Sequence, residues 1–101
     1  MILDRKEKQP AEVKDYPIDY SQWLAEIIGG DTLAFAVAAA VCTTDATNTA
    51  LVVNQVVVSG SALAIWLSGG TDNQNYKVTV TATTTGGRVD QSEFIVKIKD
   101  R

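Results

Sequence analysis

Few side chains in this chain could do chemistry, and carboxylates are the most numerous of them. Asp15 and Asp19 stand four residues apart, and residues 72–75 read Asp-Asn-Gln-Asn. Such groups could share a cation, with Asp31 joining in space, but calcium loops interleave several oxygen ligands over about a dozen residues. Neither group follows that pattern. We therefore expect no metal site and no cofactor.

The residue types on which most enzymes depend are scarce. The 101 residues include no His and a single Cys, Cys42. His is the usual general base and metal ligand near neutral pH, and one Cys forms neither a disulfide framework nor a thiolate zinc cage. The motifs GxGxxG, CxxC, HExxH and GxSxG do not occur. We expect no catalytic residues, and we expect Cys42 to be a small buried hydrophobe.

Aromatic side chains could bind a sugar or another protein instead. Trp66 lies inside an apolar run, which predicts a place in the core. Trp23 fits either a core position or an anchor into a neighbouring protein. A carbohydrate- or receptor-binding module that uses Trp23 or the turn at residues 68–75 is therefore one alternative function.

Charge is concentrated at the two ends of the chain. Residues 1–20 carry nine charged side chains, residues 21–87 carry five and residues 88–101 carry seven. The net charge of -3 supplies no basic field for nucleic acid. No segment reaches the roughly 18 apolar residues of a membrane span, and the first residues are too charged for a signal peptide. We expect synthesis in the cytoplasm and neither nucleic acid nor membrane as a partner.

This distribution predicts two segments. Residues 1–14 are expected to form an extended, charged N-terminal arm, because they hold almost no large apolar residue and Pro10 opposes a helix. Such an arm becomes ordered only on a partner. Residues 15–101 are expected to form one β-sandwich domain.

The domain begins with a strand and a short helix. Residues 15–20 alternate between polar and apolar side chains, and Pro17 cannot donate to a sheet, so we expect an edge strand. Ser21 is a candidate cap for one or two helical turns that end at Gly29-Gly30.

The rest of the body reads as strands separated by turns rich in Gly, Thr and Asn. Residues 32–42 place Leu33, Phe35, Val37, Ala39 and Val41 on one face, although their Ala content also permits a helix. Further strands are predicted at residues 51–59, 61–67, 76–85 and 88–99, with Tyr76, Val78, Val80 and Ala82 inward. The fold class is therefore all-β, an immunoglobulin-like antiparallel β-sandwich with an extended arm and a short helical turn.

The outward positions of these strands are unusual. They carry Thr and Ala where a free monomer normally carries Lys and Glu. Either this is an ordinary Thr-rich sandwich, or other subunits cover much of its surface.

Several motifs carry a resemblance to a known family. Ile65 to Thr71 reads IWLSGGT, Tyr76 to Thr79 reads YKVT, and Thr84 to Arg88 reads TTGGR. With the entry segment DYPIDYSQWL at residues 15–24 and GDTL at residues 30–33, the chain resembles, over about residues 13–99, small virion proteins of tailed bacteriophages described as fibre-tail adaptor or neck-region proteins. Asn73 stands where that family would have a glycine, and Asn also tolerates the left-handed conformation.

The resemblance implies a structural virion protein without catalytic residues. It would link tail or baseplate to fibre, as a homo-oligomeric ring whose partners are other phage structural proteins of the tail, baseplate, fibre or neck. A head-tail connector or neck protein is the alternative within the virion. The expected contacts with neighbours are Val13, near the end of the arm, and Tyr16, Ile18, Tyr20 and Trp23 in the entry segment.

Overall fold

A computed structural model describes the backbone of residues 2–100 and the side chains of residues 5–100. Met1 and Arg101, which begin and end the two predicted segments, lie outside the described residues. Over residues 2–100 the chain forms seven strands and one helix: β1 Ile2–Lys8, β2 Lys14–Asp19, α1 Ser21–Ala25, β3 Leu33–Cys42, β4 Leu51–Ser59, β5 Ala62–Gly69, β6 Asn75–Thr84 and β7 Val89–Ile98.

The strands form two sheets that pack face to face. One sheet has the order β1-β7-β6-β3 and the other the order β2-β5-β4. All pairs are antiparallel except β1 with β7, which is parallel. The strands β3, β6, β7 and β2, β5, β4 match the C-F-G and B-E-D strands of a constant-type immunoglobulin domain. The predicted immunoglobulin-like sandwich is confirmed, and residues 32–42 form a strand rather than a helix.

The core lies between the sheets and follows the alternation of β5, β6 and β7. Val78, Val80 and Ala82 are completely buried, as the pattern of β6 predicts. Most of the remaining core comes from the facing positions of the other strands: Tyr16, Ile18, Leu63, Ile65, Leu67, Phe94, Val96 and Ile98. Cys42 is buried as well, as expected of a small hydrophobe.

Tyr76 joins two turns at one end of the sandwich. Its ring is buried at the start of β6, and its hydroxyl accepts a hydrogen bond from the backbone N–H of Thr71 at 3.0 Å. The same hydroxyl donates to Asn48 Oδ1 at 2.7 Å. A tyrosine that bonds the backbone a few residues upstream at this strand is a known feature of immunoglobulin-like domains, the tyrosine corner.

Strand β3 differs from the prediction in which residues share a face. Leu33 is buried, whereas Phe35, Val37 and Val41 are more than half exposed. The pairing with β6 shifts register between Leu33 and Phe35, and this irregularity places the two residues on opposite faces. The small side chains Ala36, Ala38 and Ala40 pack against the core in their place.

The prediction that Trp66 lies in the core is wrong. Leu63, Ile65 and Leu67 of the same strand take the buried positions, so Trp66 points outward and is half-buried. Because every residue from 62 to 67 is apolar, the sequence carries no period-two signal that separates the two faces.

The entry segment forms an edge strand and a short helix, as predicted. β2 lies at the edge of its sheet, with Pro17 opposite Ala64. The cap differs, because Tyr20 occupies the N-cap position without a side-chain hydrogen bond and Ser21 is the first helical residue. Asp19 instead accepts a hydrogen bond from the Ser21 backbone N–H at 2.8 Å.

The predicted arm contains a strand that the sequence pattern does not reveal. Residues 2–8 are extended, as expected, but they lie along β7 of the same chain with Arg5 opposite Ile95 and Lys8 opposite Ile98. The division into an arm at residues 1–14 and a domain at residues 15–101 stays a prediction. In this structure of a single chain, the arm pairs with β7 of its own sandwich.

Candidate interaction surfaces

The five residues predicted to contact other proteins are placed differently by the fold. Tyr16, Ile18 and Tyr20 are each less than a tenth exposed and belong to the core of this chain. Val13 is 57% exposed in the connection before β2, and Trp23 is half-buried on α1, edge-on to Tyr20. Val13 and Trp23 are therefore the members of the set that a partner can reach directly, and a contact role for all five stays a prediction.

Tyr16 carries a polar group that its surroundings do not satisfy. Its hydroxyl is buried without a hydrogen-bond partner among the described residues, and its ring lies 5.8 Å from that of Phe94. Burial raises the pKa of this phenol. The ring of Tyr16 contributes to stability by filling space in the core. Its unsatisfied hydroxyl opposes that contribution, since a buried hydroxyl without a partner costs free energy.

Lys8 anchors the end of β1. The residue is 1% exposed, and its ammonium donates hydrogen bonds to the carbonyls of Gly69 at 2.6 Å and Gln9 at 2.8 Å. Burial lowers the pKa of this lysine. Because the contact with Gly69 spans 61 residues of sequence, Lys8 ties β1 to the turn that follows β5.

Asp31 holds together the opposite end of the sandwich. Its side chain is 3% exposed and pairs with Arg88 Nη1 at 2.9 Å. The carboxylate also accepts hydrogen bonds from the N–H groups of Thr32 and Gly86 and from the Thr85 hydroxyl. A hydrogen bond from Thr84, followed by these contacts, holds the pKa of Asp31 far below its usual range. Asp31 thus fastens the segment before β3 to the β6–β7 turn.

The first extended surface is the outer face of the four-stranded sheet, here called the threonine face. The register places Phe35 opposite Thr83 and Thr83 opposite Val89, and the next row joins Val37, Thr81 and Gln91. Opposed residues lie on the same side of a sheet. The threonine face consists of Phe35, Val37, Ala39, Val41, Thr79, Thr81, Thr83, Val89 and Gln91, together with the charged residues Lys77 and Glu93 in the rows of Val41 and Ala39.

Charges appear at one end of the threonine face. Lys77, opposite Val41, forms a 3.1 Å ion pair with Glu93. Phe35, Val37, Val41 and Val89 are each more than half exposed. A patch with protruding apolar side chains and few charges has features of a protein–protein interface.

The second extended surface is the outer face of the three-stranded sheet, here called the alanine face. Val57, Ala64 and Pro17 form one row across β4, β5 and β2, and Gln55, Trp66 and Asp15 form the next. The alanine face consists of Pro17, Val52, Gln55, Val57, Ala62, Ala64 and Trp66, and it also carries Asp15 and Asp19 of β2, opposite Trp66 and Ala62.

The contact residues that were predicted from the sequence do not include any residue of these two faces. The sequence does show that charge is scarce in residues 21–87, which indicates a surface covered by other proteins but does not identify the strands that form it. The pairing of strands is needed to bring these positions together. Both faces are outer surfaces of a sheet and not concave pockets, so they are suited to contact another protein rather than to enclose a small ligand.

Two other kinds of site are absent from the described residues. Among the described residues, no group of three or more His, Cys, Asp or Glu is arranged to hold a metal ion. In the same part of the chain, no helix is long and apolar enough to cross a membrane.

The fold and these surfaces define a small immunoglobulin-like module with two outer faces that carry few charges, suited to contacts with other proteins. The sequence model of the family described as podophage GP4 fiber-tail adaptor protein gp77 matches residues 8–97, and the chain belongs to this family. It is thus a structural protein of the phage tail, as the motifs around residues 65–88 predict. No curated protein matches the chain in sequence.

Proposed function

We propose that this chain joins the phage tail to its fibre as several copies in a ring, with residues 1–14 as an arm that engages a neighbouring subunit or fibre. The observation that supports the proposal most is the match to fibre-tail adaptors over residues 8–97, nearly the whole body of the sandwich. The partners of this chain are then tail and fibre proteins within the virion.

The position of β1 supports the role of the arm. Residues 2–8 add to the edge of β7 as a parallel strand, and the β7 edge of a second copy offers the same backbone groups. Fourteen extended residues span up to roughly 45 Å, more than the 22 and 18 Å widths of the molecule. An arm released from its own β7 is therefore long enough to reach the β7 of an adjacent copy, as in domain swapping.

The entry segment contributes a second route of contact. β2 is an edge strand, so its outer backbone groups face away from the sandwich. Tyr16, Ile18 and Tyr20 hold this strand in place through the core, while Val13 and Trp23 flank it at the surface. We assign the five residues to one docking element, in which three fix the strand and two touch the partner.

Shortening the arm tests the proposal. A variant that lacks residues 2–7 but keeps Lys8 is expected to fold, because the core lies in β2 to β7. Phage particles assembled with it are expected to lose most of their fibres, measured by electron microscopy and quantitative gel analysis of purified particles. The matched control replaces residues 2–7 by an equally long Gly/Ser segment, which separates reach from strand pairing.

The outcome also distinguishes the two virion positions. Particles that keep tails but lack fibres support the adaptor role. Normal fibre content with the shortened chain would contradict the role of the arm. Loss of complete tails from filled heads would instead favour a neck or head-tail connector.

A further inference from the structure

We propose that the turn at residues 68–70 is a receptor for one lysine, and that Lys8 is the positioning residue that fixes the register of the arm on β7. This role rests on the proposed exchange of arms between copies, and it names the contact by which one copy receives the arm of the next. The occupant of the receptor is Lys8 of the same chain in a single copy and Lys8 of a second copy in the ring.

The sequence of β1 offers little else that could fix its register. Register is usually set by apolar side chains that face the core. The apolar residues of β1 lie at its start, where the pairing shifts between Ile2 and Arg5, and residues 4–8 are all charged. Of residues 5–8, Lys8 alone is buried. Lys8 is therefore the side chain that can distinguish one register from another.

Lys8 is held by groups from two parts of the chain. Its ammonium donates to the carbonyls of Gln9 and Gly69, and its own carbonyl accepts a hydrogen bond from the Lys99 backbone N–H at 2.9 Å. Gln9 is the next residue of the arm and moves with Lys8, whereas Gly69 and Lys99 stay with the sandwich. A sandwich whose own arm has left still offers these two groups to the Lys8 of another copy.

The receptor is built by the two glycines of the IWLSGGT motif. Gly69 has a φ of +75°, and a Cβ at this position would collide with the backbone oxygen of Ala50. The same oxygen accepts a hydrogen bond from the Gly70 N–H at 3.1 Å, which fixes the turn beside the start of β4. This contact does not involve the arm, so the Gly69 carbonyl keeps its place when the arm leaves.

A lysine suits this receptor better than the other charged residues of β1 that could reach it. Hydrogen bonds from a charged donor are strong, and the carbonyl oxygens supply the partners that a buried ammonium needs. A slip of one residue would bring Glu7 opposite Ile98, where its carboxylate would meet carbonyl oxygens. A slip of two would bring Lys6 there, at the cost of two paired residues. Lys6 is therefore the residue that can replace Lys8.

Crosslinking within the full-length chain measures the register. Arg5 lies opposite Ile95, and after a slip of two residues it would lie opposite Lys97. With a short thiol-specific crosslinker, Arg5→Cys/Ile95→Cys reports the native register and Arg5→Cys/Lys97→Cys reports the slipped one. Circular dichroism and thermal unfolding verify that each variant is folded.

Lys8→Met keeps the length of the side chain and removes its donors. We expect it to lower the native crosslink roughly tenfold, the effect of losing a hydrogen bond from a charged donor. The slipped crosslink is expected to rise, because Lys6 then enters the receptor. Lys6→Met is the matched control and is expected to leave both yields unchanged. If Lys8 only stabilised the fold, both crosslinks would fall together.

A mixture of two variants tests whether a second copy is received. One copy carries Arg5→Cys and the other Ile95→Cys, so the crosslink joins them when the arm of the first lies on the β7 of the second. We expect this crosslink at high protein concentration, with a roughly tenfold lower yield when the first copy also carries Lys8→Met. Arg5→Cys mixed with the wild-type chain supplies the background.

Three results would overturn the assignment of Lys8. They are an unchanged native crosslink in Lys8→Met, a fall of both crosslinks in that variant, and a crosslink between copies that does not depend on Lys8. Absence of any crosslink between copies would contradict the exchange of arms, while the yields within one chain would still report on Lys8. The adaptor role is read separately, from the fibre content of particles.

Discussion

At the scale of single residues, the Asp31 carboxylate makes the most extensive set of hydrogen bonds described above. Donors from two separate segments of the chain take the place of water, so the protein fills most of the hydrogen-bonding capacity of this carboxylate. Gly86 belongs to this arrangement, because a Cβ at that position would lie 2.9 Å from Asp31 Oδ2. The TTGGR motif therefore serves the fold, since it builds the turn that holds this carboxylate.

Asp31→Asn is expected to lower stability, because the amide keeps the volume but loses the charge that Arg88 and the N–H donors match. We expect a fall in Tm of roughly 5 °C or more for a domain of this size, measured by differential scanning calorimetry. Asp15→Asn on the exposed part of β2 is the control and is expected to leave Tm unchanged.

The pKa of Asp31 gives the sign of the pH effect. It is depressed in the folded chain, so its contribution to stability is present above the unfolded-state pKa of about 3.9 and declines as the pH falls below it. The Tm difference between wild type and Asp31→Asn should therefore shrink between pH 6 and pH 3. A difference that stays constant over that range would contradict this assignment.

At the scale of elements, the charged edge strands β1 and β2 are attached to the sandwich in different ways. β2 buries Tyr16 and Ile18 in the core, whereas β1 is tied down at its end by Lys8. β1 also makes the only parallel pair among the described strands, and its register shifts between Ile2 and Arg5. Parallel pairing is slightly weaker per residue than antiparallel pairing. β1 is therefore the strand best placed to detach.

Hydrogen exchange measures this difference. Amides of β1 are expected to exchange through local opening at least tenfold faster than those of β6, whose exchange requires global unfolding. β2 is the matched control, since it is also an edge strand but is expected to exchange slowly. Protection of β1 equal to that of β6 would mean that the arm is a permanent part of the domain.

The elements also show where sequence reasoning succeeds and where it ends. In β6, large apolar and polar residues alternate strictly, so both faces are assigned correctly from the sequence. In β3, the pattern has the same period, yet Phe35 and Val37 face outward because an irregularity after Leu33 changes the phase. In β5, uniform apolar character hides the outward position of Trp66. Such details depend on which strands become neighbours, and local pattern does not contain that information.

At the scale of the whole molecule, the sandwich measures 46 by 22 by 18 Å. Its two outer faces lie on opposite sides of the sandwich. The family and the place in the phage tail could be predicted from the motifs, whereas the residues that share each outer face could be assigned only from the fold.

The lack of charge on β3 and β4 has a consequence for a single copy of the chain. These strands end their respective sheets and carry neither Lys, Glu nor Pro, the residues that usually keep free edges from pairing at random. Both edges are therefore open to pairing with an extended strand of another chain.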